Sequence, residues 1–416
     1  MLNLRAMARG VGGNGKASQK VVTPRIRWSH WVFLLVGFLA AWTLFEFGLH
    51  RRKAPATKSA ATSPWGRLVI TPITLEWPAN WIPANVRIEK EVRWVFAGKS
   101  KQEVEGILDR SGLDPEQRRT LSTSSAWVEA SGGWEVYPPN KLVEGLTDGQ
   151  REALHRVLVP NQRNVGDQFP FRIEVGEFES WLKESGLSES KQDLIRRIAV
   201  SDGDYVSIYD LPLLFVGASP DETRLLLQAL GRVATYLVKL RVEPGEETGT
   251  LIDYWSHGGR GRELEPLLDS MSRTPTGAEI NISFFLPSFA RERLYVYPPP
   301  AAPDAPVRVE DCFWTAMNFF NEEPDDELLN TNVVRQRFLN DYFKIEDAWH
   351  LGDLVALYDK NANVFHVCNY IADDIVLTKN GRTANAPCVL MKIADLKRSY
   401  AAYDPIQILV MRRKPR

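Results

Sequence analysis

Residues 350–381 read HLGDLVALYDKNANVFHVCNYIADDIVLTKNG, and this stretch decides the fold of the last quarter of the chain. Residues 354–358 and 364–371 are apolar runs with β-branched and aromatic members, separated by the polar turn DKNAN at 359–363. Ala372, Asp373 and Asp374 form a second turn before a third run that starts at Ile375. Side-chain alternation puts Val364, His366, Cys368 and Tyr370 on one face. If the loop holds residues 372–374, Ile371 pairs with Ile375, Cys368 with Thr378 and His366 with Asn380. A histidine among apolar neighbours on a central strand needs a polar partner. Asn380 offers one, although Asn380-Gly381 is also the favoured pair for a hairpin turn.

Upstream, residues 310–321 read EDCFWTAMNFFN. On a helix, Cys312, Ala316 and Phe319 share a face, with Phe313, Met317 and Phe320 beside it, so the helix is expected to be buried. Asp311 suits the N-cap, which puts Cys312 in the first turn. There the helix dipole and free amides are expected to lower the thiol pKa. The alternative is a small core residue, since a free cysteine is commonly buried. Cys312 as nucleophile, His366 as base and Asn380 as the group orienting the base would follow the logic of a Cys–His–polar triad. No CxxC or HxxxH spacing supports a metal site and no GxSxG turn supports a serine hydrolase, so no metal or cofactor is expected.

This order of elements resembles the NlpC-type cell-wall peptidases, which have a papain-like fold. The resemblance rests on Asp311-Cys312, Gly352-Asp353-Leu354, His366-Val367-Cys368-Asn369-Tyr370 and Thr378 or Asn380, and spans roughly residues 294–414. Phe313-Trp314 stands where that family usually has Ser-Gly, and no histidine follows His366. The resemblance implies a cysteine peptidase or amidase that cleaves an amide bond, in peptidoglycan-type peptides of the cell envelope. Catalysis would fall to Cys312, His366 and Asn380, with Asp311, Thr378 and Asp353 as supporting or alternative residues. It also implies that the C-terminal part lies in the periplasm or outside the cell. The competing reading is a catalytically inactive papain-like fold that serves as a membrane-anchored binding or scaffold protein.

The rest of the 416-residue chain is read outward from this domain. Residues 1–27 form a basic, Gly-rich tail with little to bury, and the GVGGNG within it lacks the strand and the Ser or Thr of a phosphate loop. WSHWVFLLVGFLAAWTLFEFGL, 28–49, would rise about 28 Å from Trp31 as a helix, close to the thickness of a bilayer core. It is expected to be a single-pass transmembrane anchor, because no small-residue cleavage site follows directly. Lys and Arg residues are nearly balanced on its two sides, so charge alone does not orient it. Residues 50–64 are a small-residue linker, and 65–297 read as a mostly helical domain of unknown role. Within it RSGLDPEQRR, VEGLTDGQRE and ESGLSESKQD share a helix–corner–helix text, with caps at Asp114, Thr147 and Ser188. The Pro-rich stretch around 298–306 opens the last domain, 298–416.

The expected fold class is therefore α+β: a transmembrane helix, a mostly helical middle and a papain-like C-terminal domain. The expected partners are a membrane, a peptidoglycan or peptide substrate and a protein bound through the helical region. A net charge of −1 argues against nucleic acid.

Overall fold

The computed structural model describes residues 2, 3, 63–82, 88–130, 132–161, 163, 164, 170–258, 260–299, 310–381, 386–400, 403 and 405–415. Strands β1 (Leu2–Asn3), β2 (Arg67–Leu75), β3 (Trp94–Ala97), β4 (Ala126–Ala130) and β5 (Gly133–Tyr137) come first. Next are β6 (Phe171–Glu174), β7 (Ala199–Asp202), β8 (Tyr205–Ile208), β9 (Val233–Val242) and β10 (Ala278–Asn281). Strands β2 to β10 build three antiparallel sheets, in the orders β10-β9-β2, β3-β5-β4 and β6-β8-β7. The middle region is thus mixed helix and strand, which corrects the expectation of a mostly helical domain. In SPDETRLLLQALGRVATYLVKL the helix Pro220–Leu230 starts at its Ser219 cap and stops before Gly231. The second half, with Val233, Thr235, Tyr236 and Val238, becomes β9 because β-branched and aromatic side chains fit a pleated surface better than a helix.

The three corners form helix starts with different caps. Asp114 and Thr147 make full capping boxes with Gln117 and Gln150, whereas Ser188 makes no side-chain cap bond. The two glutamines also bond each other and so tie two helix starts together. Gly112 and Gly186 take the left-handed conformation at φ 76° and 67°, where a Cβ would be strained. Gly145 ends its helix without doing so, at φ −86°.

No helix among the described residues is long and apolar enough to cross a membrane. The longest, Gly261–Ser272, has 12 residues, against about 20 for a span. The expected single-pass anchor and the localisation tied to it are therefore not supported. Residues 28–49, on which that expectation was placed, lie outside the described residues.

The C-terminal sheet consists of β11 (Tyr342–Lys344), β12 (Leu354–Tyr358), β13 (Asn363–Ala372), β14 (Ile375–Lys379), β15 (Cys388–Lys392) and β16 (Gln407–Arg413). Its order is β11-β16-β12-β13-β14-β15, antiparallel throughout, with the short β1 beside β13. Both faces are covered, which explains why β12 and β14 read as continuous apolar runs. On one face Leu354, Ala356 and Val367 pack against Trp314, Ala316 and Met317 of the Cys312–Met317 helix. On the other, Val355, Leu357, Cys368, Tyr370 and Val376 pack against Leu396 of the Ile393–Ser399 helix.

Two further cores lie upstream. One is confined to residues 92–229. The other joins Val238, Leu240, Trp255 and Phe285 to Ile371, Ile375, Leu377 and Leu390. Each such side chain contributes about 1.5–3 kcal/mol when fully buried. The Thr235 hydroxyl, donating to Leu390 O at 2.8 Å and accepting from Leu390 N at 3.1 Å, ties β9 to β15.

Candidate active site

Asp311 caps the Cys312–Met317 helix by accepting from Trp314 N at 3.0 Å, and this places Cys312 in the first turn. The backbone amide of Val367 hydrogen-bonds the Cys312 sulfur, with help from the amides of Phe313 and Cys312 itself. These amides favour the thiolate but are outweighed. Burial, reinforced by the charge on Asp311, pushes the Cys312 thiol up to about 12. The expected lowering of its pKa is thus reversed. A helix of only six residues supplies little dipole, and the partial burial of the thiol opposes charge.

His366 is fully buried. Its neighbour across β12 is Leu357, and that of Cys368 is Val355, so His366 faces the cluster around Leu396. Val367, next in sequence, faces the Cys312 helix. The structure therefore sets Cys312 and His366 at adjacent residues of β13, to either side of the strand. Burial pulls the imidazole down to about 3, so it is neutral at physiological pH.

Both ring nitrogens are engaged. Nε2 lies 2.8 Å from Thr378 Oγ1, and Nδ1 lies 3.0 Å from the Tyr400 hydroxyl. The Thr378 hydroxyl donates to Asn380 Oδ1 at 2.8 Å, and Asn380 Nδ2 donates to Met391 Sδ at 2.9 Å. Thr378 has one proton and gives it to Asn380, so its oxygen accepts from a protonated Nε2. Nδ1 then carries the lone pair and accepts from Tyr400.

Asn369 lies opposite Leu377 and Tyr370 opposite Val376 as expected, but Ala372 rather than Ile371 pairs with Ile375: β13 runs on to Ala372, the turn is Asp373-Asp374 alone, and a bulge at Ile371 restores the register. His366 nevertheless bonds Thr378 rather than Asn380, because an imidazole reaches the diagonal neighbour on the same face. Asn380 acts through Thr378. It is not part of a two-residue turn, since β14 ends at Lys379 and β15 begins at Cys388. Asp353 is committed elsewhere. Its carboxylate takes Arg412 Nε at 2.8 Å, Arg412 Nη2 at 2.7 Å and the His350 amide at 2.8 Å, which fixes β12 to β16.

Tyr400 was not visible in the sequence as a site residue. It follows the Ile393–Ser399 helix and reaches His366 across 34 positions. Lys379 is a second such residue. This buried cation donates to Gly381 O at 3.2 Å. Burial pulls its pKa down, while charge on Cys388, Glu310, Cys312 and Asp311 pushes it up. Cys368 and Cys388 are buried free thiols, and burial pushes both up. Among the described residues no group of three or more His, Cys, Asp or Glu is placed to hold a metal ion. Comparison with protein-family models, with curated proteins and with solved structures finds no match.

Proposed function

We propose that the C-terminal domain is a thiol hydrolase that cleaves an amide bond, with peptidoglycan-type peptides as the substrate class suggested by its resemblance to the NlpC-type peptidases. One observation carries this reading: the Cys312 sulfur takes the amide of Val367, the residue beside His366, while His366 is oriented by Thr378 and Asn380. In this chemistry the His366 ring must first swing round β13 from the face where it rests against Tyr400; the Cys312 proton then passes to its free nitrogen and the sulfur attacks the carbonyl carbon. An S–C bond forms, the C–N bond breaks, and the amine leaves with the proton from His366. Water then hydrolyses the thioester. Lys379 favours negative charge in this neighbourhood.

The test is release of amide-cleaved products from peptidoglycan-type stem peptides by the purified chain. Cys312→Ala should abolish it, and His366→Ala should lower it by about 10²–10⁴-fold. Cleavage that survives Cys312→Ala would refute the reading. A second reading, a binding module that keeps the fold without the chemistry, is favoured by Tyr400 occupying the lone pair the thiol needs. Binding of the same peptides without cleavage would support it.

A further inference from the structure

We infer that Lys379 is the charge partner of Cys312: its buried ammonium shares the thiol's face of the sheet and stabilises the Cys312 thiolate once the proton has left. This role rests on the thiol-hydrolase reading and gives that site a cation. Side-chain alternation carries the argument. On β14, Thr378 bonds His366 and Val376 packs with Leu396, so both lie on the face away from the Cys312 helix. Ile375, Leu377 and hence Lys379 point to the opposite face, where Leu377 joins Phe319 just beyond the end of that helix. The Cys312–Met317 helix packs over both β13 and β14. The pairing of Asn369 with Leu377 and Tyr370 with Val376, carried two residues on, puts Lys379 opposite Val367. Val367 is the residue whose amide bonds the Cys312 sulfur.

The charges around the two groups agree with this placement. Lys379 feels Cys388, directly across from it on β15, and then Glu310, Cys312 and Asp311. Cys312 feels Asp311 beside it, while Cys368 and Tyr400 on the far face feel Cys312 in turn. Arg293 stands over the Phe289 and Trp314 rings, and its charge reaches Cys388.

Burial and Asp311 both oppose a thiolate at Cys312, so a cation on the same face is the group able to offset them. Lys379 is only 5% exposed and its ammonium donates to Gly381 O at 3.2 Å, so the charge is held in place and weakly screened. It needs no hydrogen bond to the sulfur. Across about 10 Å at an effective dielectric of about 20, one charge moves a pKa by roughly one unit.

The test follows iodoacetamide alkylation of Cys312 and Cys388 in the full chain from pH 7 to about 10.5, read by mass spectrometry. Wild type is compared with Lys379→Met, which keeps the side-chain length, and Lys379→Arg, which keeps the charge. Thermal melting checks that each is folded, and Lys379→Gln replaces the Met variant if that one does not melt cooperatively. Lys379→Met should slow Cys312 about three- to tenfold near pH 7, since a less ionised thiol is only partly compensated by its greater nucleophilicity. Lys379→Arg should restore the rate. The gap between Lys379→Met and wild type should narrow as pH rises, because burial lowers the Lys379 pKa and the wild type loses its charge within the window. A gap that is absent, that stays constant with pH or that is confined to Cys388 would overturn the pairing. Amide cleavage of stem peptides is measured on the same samples. Cleavage by wild type and Lys379→Met alike would remove Lys379 and leave the hydrolase reading standing. No cleavage by wild type would remove that reading, while the alkylation profile still decides the pairing.

Discussion

Acid should loosen the C-terminal sheet through His366, and the size of the effect follows from its burial. The imidazole is fully buried, and burial lowers its pKa from 6.5 to about 3. Between those values the unfolded chain holds a proton that the folded chain does not, so stability falls as pH falls. Above 6.5 neither state is protonated at this group and its contribution is flat. Each pH unit below 6.5 costs about 1.4 kcal/mol, or tenfold in the opening equilibrium. Going from 6.5 to 5 costs about 2 kcal/mol, and the full window to 3 about 5 kcal/mol. His350 is also shifted down, mainly by burial, and has the same sign. It is therefore subtracted by comparison with His366→Gln, which bonds without titrating. The assay is amide hydrogen exchange of β13 and β14 peptides between pH 7.5 and 5, corrected for the intrinsic exchange rate. The ratio of protection, wild type over variant, should fall about 30-fold from pH 7.5 to 5. A constant ratio would show that His366 is solvated or charged in the folded state, and the reasoning would be wrong.

Two further outcomes follow from contacts around the site. Asp353→Asn should lower stability by about 3 kcal/mol, seen as a lower Tm, because it breaks a charge pair whose Asp353 side chain is only 3% exposed. An unchanged Tm would assign Arg412 to solvent rather than to that pair. Gly352→Ala should destabilise strongly, because Gly352 has φ 88° and an added Cβ would lie 2.1 Å from Phe320 Cζ. If the variant melts with the wild type, the approach of Phe320 to β12 is not as close as the structure has it.

What the sequence by itself determined is local. The strands around 354–358 and 375–379, the existence of a turn between β13 and β14 (though not its length, which a bulge at Ile371 shortens to Asp373-Asp374), and the Asp311 cap ahead of Cys312 depend on alternation, turn chemistry and capping within a few residues. Cys312 and His366 were singled out on the same grounds. Only the tertiary structure decided the rest. The pairing of β2 with β9, which sets Arg67 opposite Arg241, has no signature in either segment, because a pleated surface is stabilised by a partner that is far away in sequence. Helix caps dominate the text between residues 65 and 297, so a few strands were expected among them but not the nine that the described residues hold, nor their pairing into three sheets. The direction of the Cys312 pKa shift was likewise set by burial that no local pattern reports, and it outweighed the short helix dipole. The partners of His366 depended on which diagonal its ring took and on a tyrosine 34 residues away. A sequence names the groups able to hold or move a proton, but the packing of β13 between two helices settles which of them touch.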